Sequence, residues 1–290
     1  MAKIEKVPGS IDGGDSMVSK TFLLLTFLLL AACRSMQNYD NPDAPLYAGA
    51  YAESLPEFDE EIKVITWNIR FAEKIETAIA ELQQVEALQG ADLILLQEMD
   101  EAGVEAVAKA LKYNFIYFPA SIHTYHNKDF GNAILSPWPL AEPQKVLLPH
   151  RNPKNQQMRI AVRGLAEIGE LDIPVYSVHT ETAWLGTQKR QEQLDTLLRD
   201  IGDDSQFVIV GGDFNTFTAQ SIIDLERDFE QVGLDWVSRG AGPTFEHSNF
   251  GFTLDYIFAK GFAVTDNGVW PDTQASDHFP LWTTLSLGDE

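Results

Sequence analysis

The sequence predicts an α/β domain in which two packed sheets carry helices on their outer faces. Three observations predict it: strand-like and helix-like segments alternate in β-α-β-α-β order through the first part of the domain, at least one strand is a continuous apolar run of the kind a doubly covered sheet requires, and polar side chains recur at the ends of the apolar strands. Residues 62–68 (IKVITWN) alternate and are β-branched, which is a strand pattern. Within 73–89 the apolar residues Ile75, Ala78, Ile79, Leu82, Val85 and Leu88 keep helical spacing, and Gly90 is a stop. Residues 92–97 (DLILLQ) form the unbroken apolar strand, Asp100 caps a short helix running to Leu111, and 113–118 is the next strand. Residues 130–136 (FGNAILS) end as a strand at Pro137. Residues 159–168 and 173–180 read as neighbouring strands joined by a Gly-Glu turn. Residues 187–201 are an amphipathic helix with Leu194, Leu197, Leu198 and Ile201 in one stripe. A strand at 207–211 runs into Gly212-Asp213-Phe214-Asn215, and a helix near 219–229 follows. Strands at 252–259, 262–270 and 281–287 complete the set.

The chain of 290 residues is long enough for one large domain, and 44% hydrophobic with 11% aromatic residues gives it ample core. The net charge of −22 works against passive binding to nucleic acid, which depends on Lys and Arg neutralising phosphates. A bound cation changes that local sign, so a nuclease stays open. The one cysteine, Cys33, excludes a disulfide scaffold.

The N-terminus reads as an address. After Lys20, residues 21–32 (TFLLLTFLLLAA) are nearly all apolar, and Cys33 follows. A membrane-spanning helix needs roughly 20 such residues, so this shorter run behind a positive charge is an export signal. Leu30-Ala31-Ala32-Cys33 resembles the cleavage box of bacterial lipoproteins, which implies a lipidated Cys33 as a membrane anchor. Arg34 after the cysteine, where an aspartate often marks inner-membrane retention, favours the outer membrane. Residues 1–16 are then an overextended start or leader, and 17–33 the signal peptide. Residues 34–61, with Pro42, Pro45, Pro56 and no period, read as a flexible tether with a reach of roughly 30 Å. The catalytic domain covers 62–288.

Asn68, Glu98, His179, Asp213, Asn215, Asp255, Asp277 and His278 stand at or just beyond strand ends, where sites of layered α/β proteins gather. Seven motifs carry them in order: Thr66-Trp67-Asn68, Leu96-Gln97-Glu98, Gly131-Asn132-Ala133-Ile134-Leu135-Ser136, Ser177-Val178-His179-Thr180, Gly212-Asp213-Phe214-Asn215, Leu254-Asp255-Tyr256-Ile257 and Ser276-Asp277-His278. This set resembles the endonuclease/exonuclease/phosphatase superfamily over residues 62–287. The resemblance implies a four-layered α/β/β/α sandwich and Mg²⁺- or Mn²⁺-dependent phosphoester hydrolysis, with Ca²⁺ as a further option. It also implies that Asp255 orients His278 and that Asp277 lies near the metal. His179 resembles the DNase-I-like and sphingomyelinase-like branches.

The residue chemistry supports the same roles. A strand-end carboxylate such as Glu98 is costly unless paired or bound to a cation, and Mg²⁺ takes one or two carboxylates plus phosphate oxygens. Glu98, helped by Asn68, is the first metal ligand expected. Asp213 and Asn215, two apart in an extended segment, share a face: the acid orients water and the amide donates to a phosphate oxygen. Cationic His278 holds the developing phosphate charge, and His179 protonates the leaving oxygen or binds phosphate. Arg159 and Arg163 share a strand parity, and either could meet phosphate; His123 and His126 flank Tyr125 in a polar loop that reads as solvated or as a substrate contact. The substrate stays open between nucleic acid, phospholipid and soluble organophosphate, with a monomer expected. The competing classes are an inactive binding module that keeps the fold and a Ca²⁺-binding surface lipoprotein.

Overall fold

The computed structural model describes residues 36–123 and 126–288. The expectations for the leader, the signal peptide and Cys33 therefore lie outside the described residues. In chain order the elements are β1 (Gln37–Asn38), β2 (Tyr47–Gly49), β3 (Glu61–Asn68), α1 (Ile75–Gln84), β4 (Leu93–Met99), α2 (Glu101–Leu111), β5 (Asn114–His123), β6 (Lys128–Ser136), β7 (Leu140–Arg151), β8 (Met158–Ile168) and β9 (Leu171–His179). They continue with α3 (Thr187–Ile201), β10 (Val208–Asp213), α4 (Ala219–Glu230), β11 (Asp235–Trp236), β12 (Phe245–His247), β13 (Phe250–Phe252), β14 (Asp255–Lys260), β15 (Phe262–Val269) and β16 (Leu281–Leu287).

The strands form an 8-stranded sheet in the order β1-β5-β6-β4-β3-β16-β15 with β2 also on β5, a 6-stranded sheet in the order β11-β14-β10-β9-β8-β7, and the β12-β13 hairpin. Alternation along each strand supplies two cores at once. On β3, Ile62 and Val64 face the layer between the sheets, where Leu93, Leu95, Ile134, Val162, Val175, Ile209 and Ile257 meet them. Ile65 and Trp67, of the opposite parity, pack with Ala78, Leu82, Val104 and Val107 of α1 and α2. The second sheet does the same: Tyr176, Val178, Val210 and Phe258 pack on Leu194, Leu197, Leu225 and Phe229 of α3 and α4. Helices, sheet, sheet, helices is the predicted four-layered order. The caps hold where expected: Asp100 accepts from the Gly103 amide at 2.7 Å and opens α2.

One expectation is corrected. Residues 36–61 are not a free tether. β1 pairs with β5 through Gln37↔Ile122, and β2 pairs with it through Tyr47↔Tyr117. Buried Lys145 donates to the Tyr39 and Ala44 carbonyls at 3.1 and 2.6 Å, the Tyr51 hydroxyl donates to Glu105 at 2.6 Å, and Phe58 packs edge-on against Trp138. Isolated aromatic anchors hold this strap, so it has no hydrophobic period to read. A strand absent from the sequence expectations, β7, carries Pro143 and Pro149 and two register irregularities. Proline is tolerated there because β7 is the outermost strand of its sheet. Smaller differences follow the same local chemistry. The 73–89 helix is α1 followed by a 3₁₀ turn, and the 252–259 strand divides into β13 and β14. Among the described residues no helix is long and apolar enough to cross a membrane.

Candidate active site

Parallel and antiparallel neighbours bring the strand ends into one place. Asp213 ends β10 and is in register with His179, the last residue of β9, and with Asp255, the first of β14. Gly212 is required here, because a Cβ on it would overlap the Val178 carbonyl of the adjoining strand. His278 follows from the segment before β16, where its backbone bridges to Phe245 and its carbonyl accepts from the Trp67 indole at 2.9 Å. The neighbouring serine, Ser276, donates to the Asn68 carbonyl at 2.7 Å, which ties the Ser-Asp-His segment to the end of β3.

The centre of the site is a chain of charge. His278 Nδ1 lies 2.8 Å from Asp255 Oδ2, and its Nε2 lies 3.9 Å from Asp213 Oδ2. Burial alone would lower the basicity of His278, but attraction to Asp255 and Asp213 outweighs it, and the ring is pushed up to about 10. It is therefore an imidazolium at neutral pH. Asp213 is raised to about 7 by burial, with repulsion from Asp255 adding and His278 opposing. The Asn68 amide donates to Asp213 Oδ2 at 3.0 Å.

His179 is held the other way. Burial, then the nearby charges of Arg159 and His278, take its basicity well below the ordinary value. Arg159 Nη1 lies 3.3 Å from His179 Nδ1. A guanidinium can only donate, so Nδ1 accepts and the ring proton sits on Nε2, 3.5 Å from Asp213 Oδ2. Arg159 is itself buried, 3.4 Å from the buried Glu181 carboxylate and over the Phe130 ring at 5.3 Å. Arg163, its partner by parity, bonds Gln144 instead, away from the site.

Glu98 is half-buried and holds φ 59, a left-handed conformation uncommon for a non-glycine residue inside a strand. The β4–β6 register breaks between Leu96 and Met99, so Glu98 sits in a bulge that re-aims its side chain. Burial raises its carboxyl group, while Arg159, His278 and a bond from Asn68 pull the other way and Asp277 adds to the rise. Asp277 is more exposed and lies 3.8 Å from Arg70. Asn215 reaches the site differently from expectation. It is not in an extended segment but at φ 50 in a turn closed by its own amide on Asp213 Oδ1 at 2.8 Å. Its side-chain amide donates to the Thr180 carbonyl at 3.1 Å.

The donor set fits a hard divalent cation. Glu98, Asp277 and Asn68 offer only oxygen ligands, and Glu98 is a poorly compensated carboxylate among other acids. Asp213, Asp255 and His278 bring ligand atoms within 4.8 Å of one another, but the His278–Asp255 hydrogen bond already occupies two of these three residues. Two neighbouring groups of residues could therefore hold a cation. Sequence reading passed over Arg190. Its Nη2 donates to the Phe214 and Asn215 carbonyls at 2.9 Å and to Thr216 Oγ1 at 2.6 Å, locking the turn that carries Asp213 and Asn215. Its signal was its place in line with Leu194, Leu197 and Ile201, where a charged side chain on the apolar stripe must reach a buried partner. The loop histidines also differ: His123 is buried at the end of β5 against Phe71 and Phe130, and His126 stacks on Phe71.

Fold and site together define a DNase-I-like α/β/β/α sandwich with an acidic, imidazole-bearing centre. The chain belongs to the endonuclease/exonuclease/phosphatase family, whose model matches residues 65–278. Members of this family are phosphoester hydrolases. Among curated relatives, a UPF0294 protein of Vibrio cholerae is 33% identical over 116 residues, 40% of this chain and 41% of the relative. The chain thus aligns with about two fifths of the length of that relative. A UPF0294 protein of Erwinia tasmaniensis is 28% identical over 250 residues, 83% of this chain and 87% of its own. An endonuclease/exonuclease/phosphatase from Beutenbergia cavernae superposes with TM-score 0.64 at 21% identity, covering 79% of this chain and 72% of that one. A mannosyl-6-phosphatase of Bacteroides thetaiotaomicron gives TM-score 0.61 at 18% identity, over 78% of this chain and all of its own (100%). D. rerio TDP2 complexed with a single-strand DNA product gives 0.59 at 17%, over 79% and 100%. These likenesses at low identity show the fold.

Proposed function

We propose that this chain is a divalent-cation-dependent phosphoester hydrolase, exported and tethered to a membrane through lipidated Cys33. The observation that carries the catalytic reading is the buried His278 imidazolium, held at 2.8 Å by Asp255 and facing Asp213 across 3.9 Å. A cation held by Glu98, Asn68 and Asp277 would neutralise charge on the phosphate oxygens, with Mg²⁺ or Mn²⁺ the expected ions and Ca²⁺ a possible substitute. His278, with a fixed positive charge, binds a non-bridging phosphate oxygen and stabilises the charge that builds on it. Asp213, raised to about 7, is basic enough to orient water and take its proton as the oxygen attacks phosphorus, while the ester P–O bond breaks and its electron pair leaves on the ester oxygen, which is then protonated. Neutral His179 presents its Nε2 proton toward Asp213 and the phosphate, and Arg159 fixes that tautomer from behind.

The anchoring reading rests on the apolar run at 21–32 ending at Cys33. Two assays test the proposal. Purified protein should hydrolyse a generic phosphodiester with Mg²⁺ or Mn²⁺ and lose this on chelation, and activity that survives full chelation would refute the cation's role. Full-length protein expressed with a labelled fatty acid should carry the label, whereas Cys33→Ala should not; equal labelling of both removes the anchor.

A further inference from the structure

Beside the catalytic turn lies a cavity of about 420 Å³ whose walls include Trp184, Asn215, Phe217, Phe245, Phe252 and Leu254. We propose that it binds a ring-sized apolar group that stays on the phosphate, so that the preferred substrates are phosphodiesters whose non-leaving ester group is apolar and aromatic. This rests on the phosphoester-hydrolase reading and narrows its substrate class.

Continuity with the site is the first support. Asn215 belongs to both the cavity and the turn that carries Asp213. Leu254 directly precedes Asp255 in the chain. Phe245 forms a backbone bridge to His278, and the two rings lie 5.1 Å apart. A group seated in the cavity is therefore attached to, or immediately beside, a phosphate held by His278.

The chemistry of the walls is the second. Four of the named residues are aromatic and one is leucine, and the full lining contains no Lys, Arg, Asp or Glu. The polar part of the lining is limited to Thr182, Asn215 and His247, whereas a flat apolar ring finds edges and faces to pack on. Phe217 and Phe252 already meet at right angles with centroids 6.0 Å apart, leaving a slot rather than a collapsed core. Trp184 and Phe217 are 67% and 45% exposed. Two large apolar side chains in water at the lip of one pocket are a cost that an apolar ligand removes. Lys154 places its ammonium 3.2 Å from the Trp184 ring centroid, a cation–π contact that steadies the ring at that lip.

The test holds the leaving group constant. Methyl p-nitrophenyl phosphate and phenyl p-nitrophenyl phosphate release the same p-nitrophenolate and differ only in the second ester group. With Mn²⁺, kcat/KM should be roughly 10–100-fold higher for the phenyl ester. Trp184→Ala, Phe217→Ala and Phe252→Ala should each reduce that ratio while leaving the methyl ester rate unchanged. A ratio near one in the parent protein, or one insensitive to all three substitutions, overturns the proposal while the hydrolase reading stands. If neither ester is cleaved, the hydrolase reading itself fails. The pocket is then decided by binding: diphenyl phosphate, but not dimethyl phosphate, should quench tryptophan fluorescence in a way Trp184→Leu abolishes, and no such quenching overturns it.

Discussion

Asp255 Oδ2 accepts from His278 Nδ1 at 2.8 Å, while the other oxygen of the same carboxylate is buried with no hydrogen-bond partner among the described residues. The carboxylate is thus committed to one ring, and the ring's remaining nitrogen faces Asp213 and the space a phosphate would enter. Asp255→Asn keeps the shape but removes the charge that holds the imidazolium. Turnover should fall by about 10²-fold or more, the scale seen when a group stabilising transition-state charge is lost. KM for a phosphodiester should change little, because the interaction strengthens only as charge builds. Steady-state kinetics at fixed Mn²⁺ checks this, and a loss confined to KM would assign His278 to ground-state binding.

Arg190 makes a prediction of a different kind, since it touches no candidate reacting group. Three of its bonds end on the backbone and hydroxyl of residues 214–216. Tyr256 donates to the Thr216 carbonyl at 2.6 Å from the opposite side, so the turn is clamped between two strong donors. Arg190→Ala should lower kcat by about 10²-fold through sub-ångström misplacement of Asp213. Added guanidinium should restore part of that loss, because the vacated space keeps the acceptors. If guanidinium restores nothing while circular dichroism shows a folded protein, the clamp is not what positions Asp213.

The contrast between these residues shows what the sequence made legible. Asp255 and His278 were readable because each ends or adjoins a strand with a strong apolar pattern, and strand ends converge by topology alone. The layers were readable for the same reason: β3, β4 and β10 carry unbroken parity or unbroken apolarity. Glu98 was readable as a site residue, but its left-handed bulge was not, because nothing in Leu-Gln-Glu-Met announces a register break. Arg159 and Arg163 looked equivalent; only the tertiary packing put one under His179 and the other beside Gln144. The strap at 36–61 and β7 escaped because single tyrosines and edge prolines stabilise through long-range contacts, which leave no period.

The strap gives a pH prediction. Burial lowers Lys145 to about 8, against attraction from Asp40 and Asp43. An unfolded lysine titrates near 10.4. Between pH 8 and 10 this lysine therefore holds a proton in the unfolded chain that it lacks in the folded one, and its own contribution to folding stability rises with pH through that window, by at most about 1.4 kcal/mol per unit. Below pH 8 both states are protonated and Lys145 contributes no slope. Tyr39, raised by burial and by Asp129, loses its proton more readily unfolded, so it opposes the trend only above about pH 10. His278, raised to about 10, works the other way from about pH 6.5 upward, so the lysine is read as a difference: in urea unfolding at pH 7, 8, 9 and 10, the stability of the parent relative to Lys145→Met should climb above pH 8. A slope identical in both proteins would place the titration elsewhere.

Glu98 separates stability from function through the cation. Its carboxylate is half-buried, is raised by burial and is pressed further by Asp277. Neutralising it with Glu98→Gln should leave the cation-free protein at least as stable as the parent, since a crowded charge is removed while its volume stays. The parent should gain stability as Mg²⁺ or Mn²⁺ is added, about 2.7 kcal/mol at a hundredfold excess over Kd, because only the folded chain assembles the oxygen ligands. Glu98→Gln should lose most of that gain, together with hydrolysis. Thermal unfolding with and without Mn²⁺ reads both effects in one experiment, and their opposite signs distinguish a ligand from a structural carboxylate. A structural Glu98 would lower the melting temperature equally in both buffers, and a cation response preserved in the glutamine variant would move the ion to another set of donors.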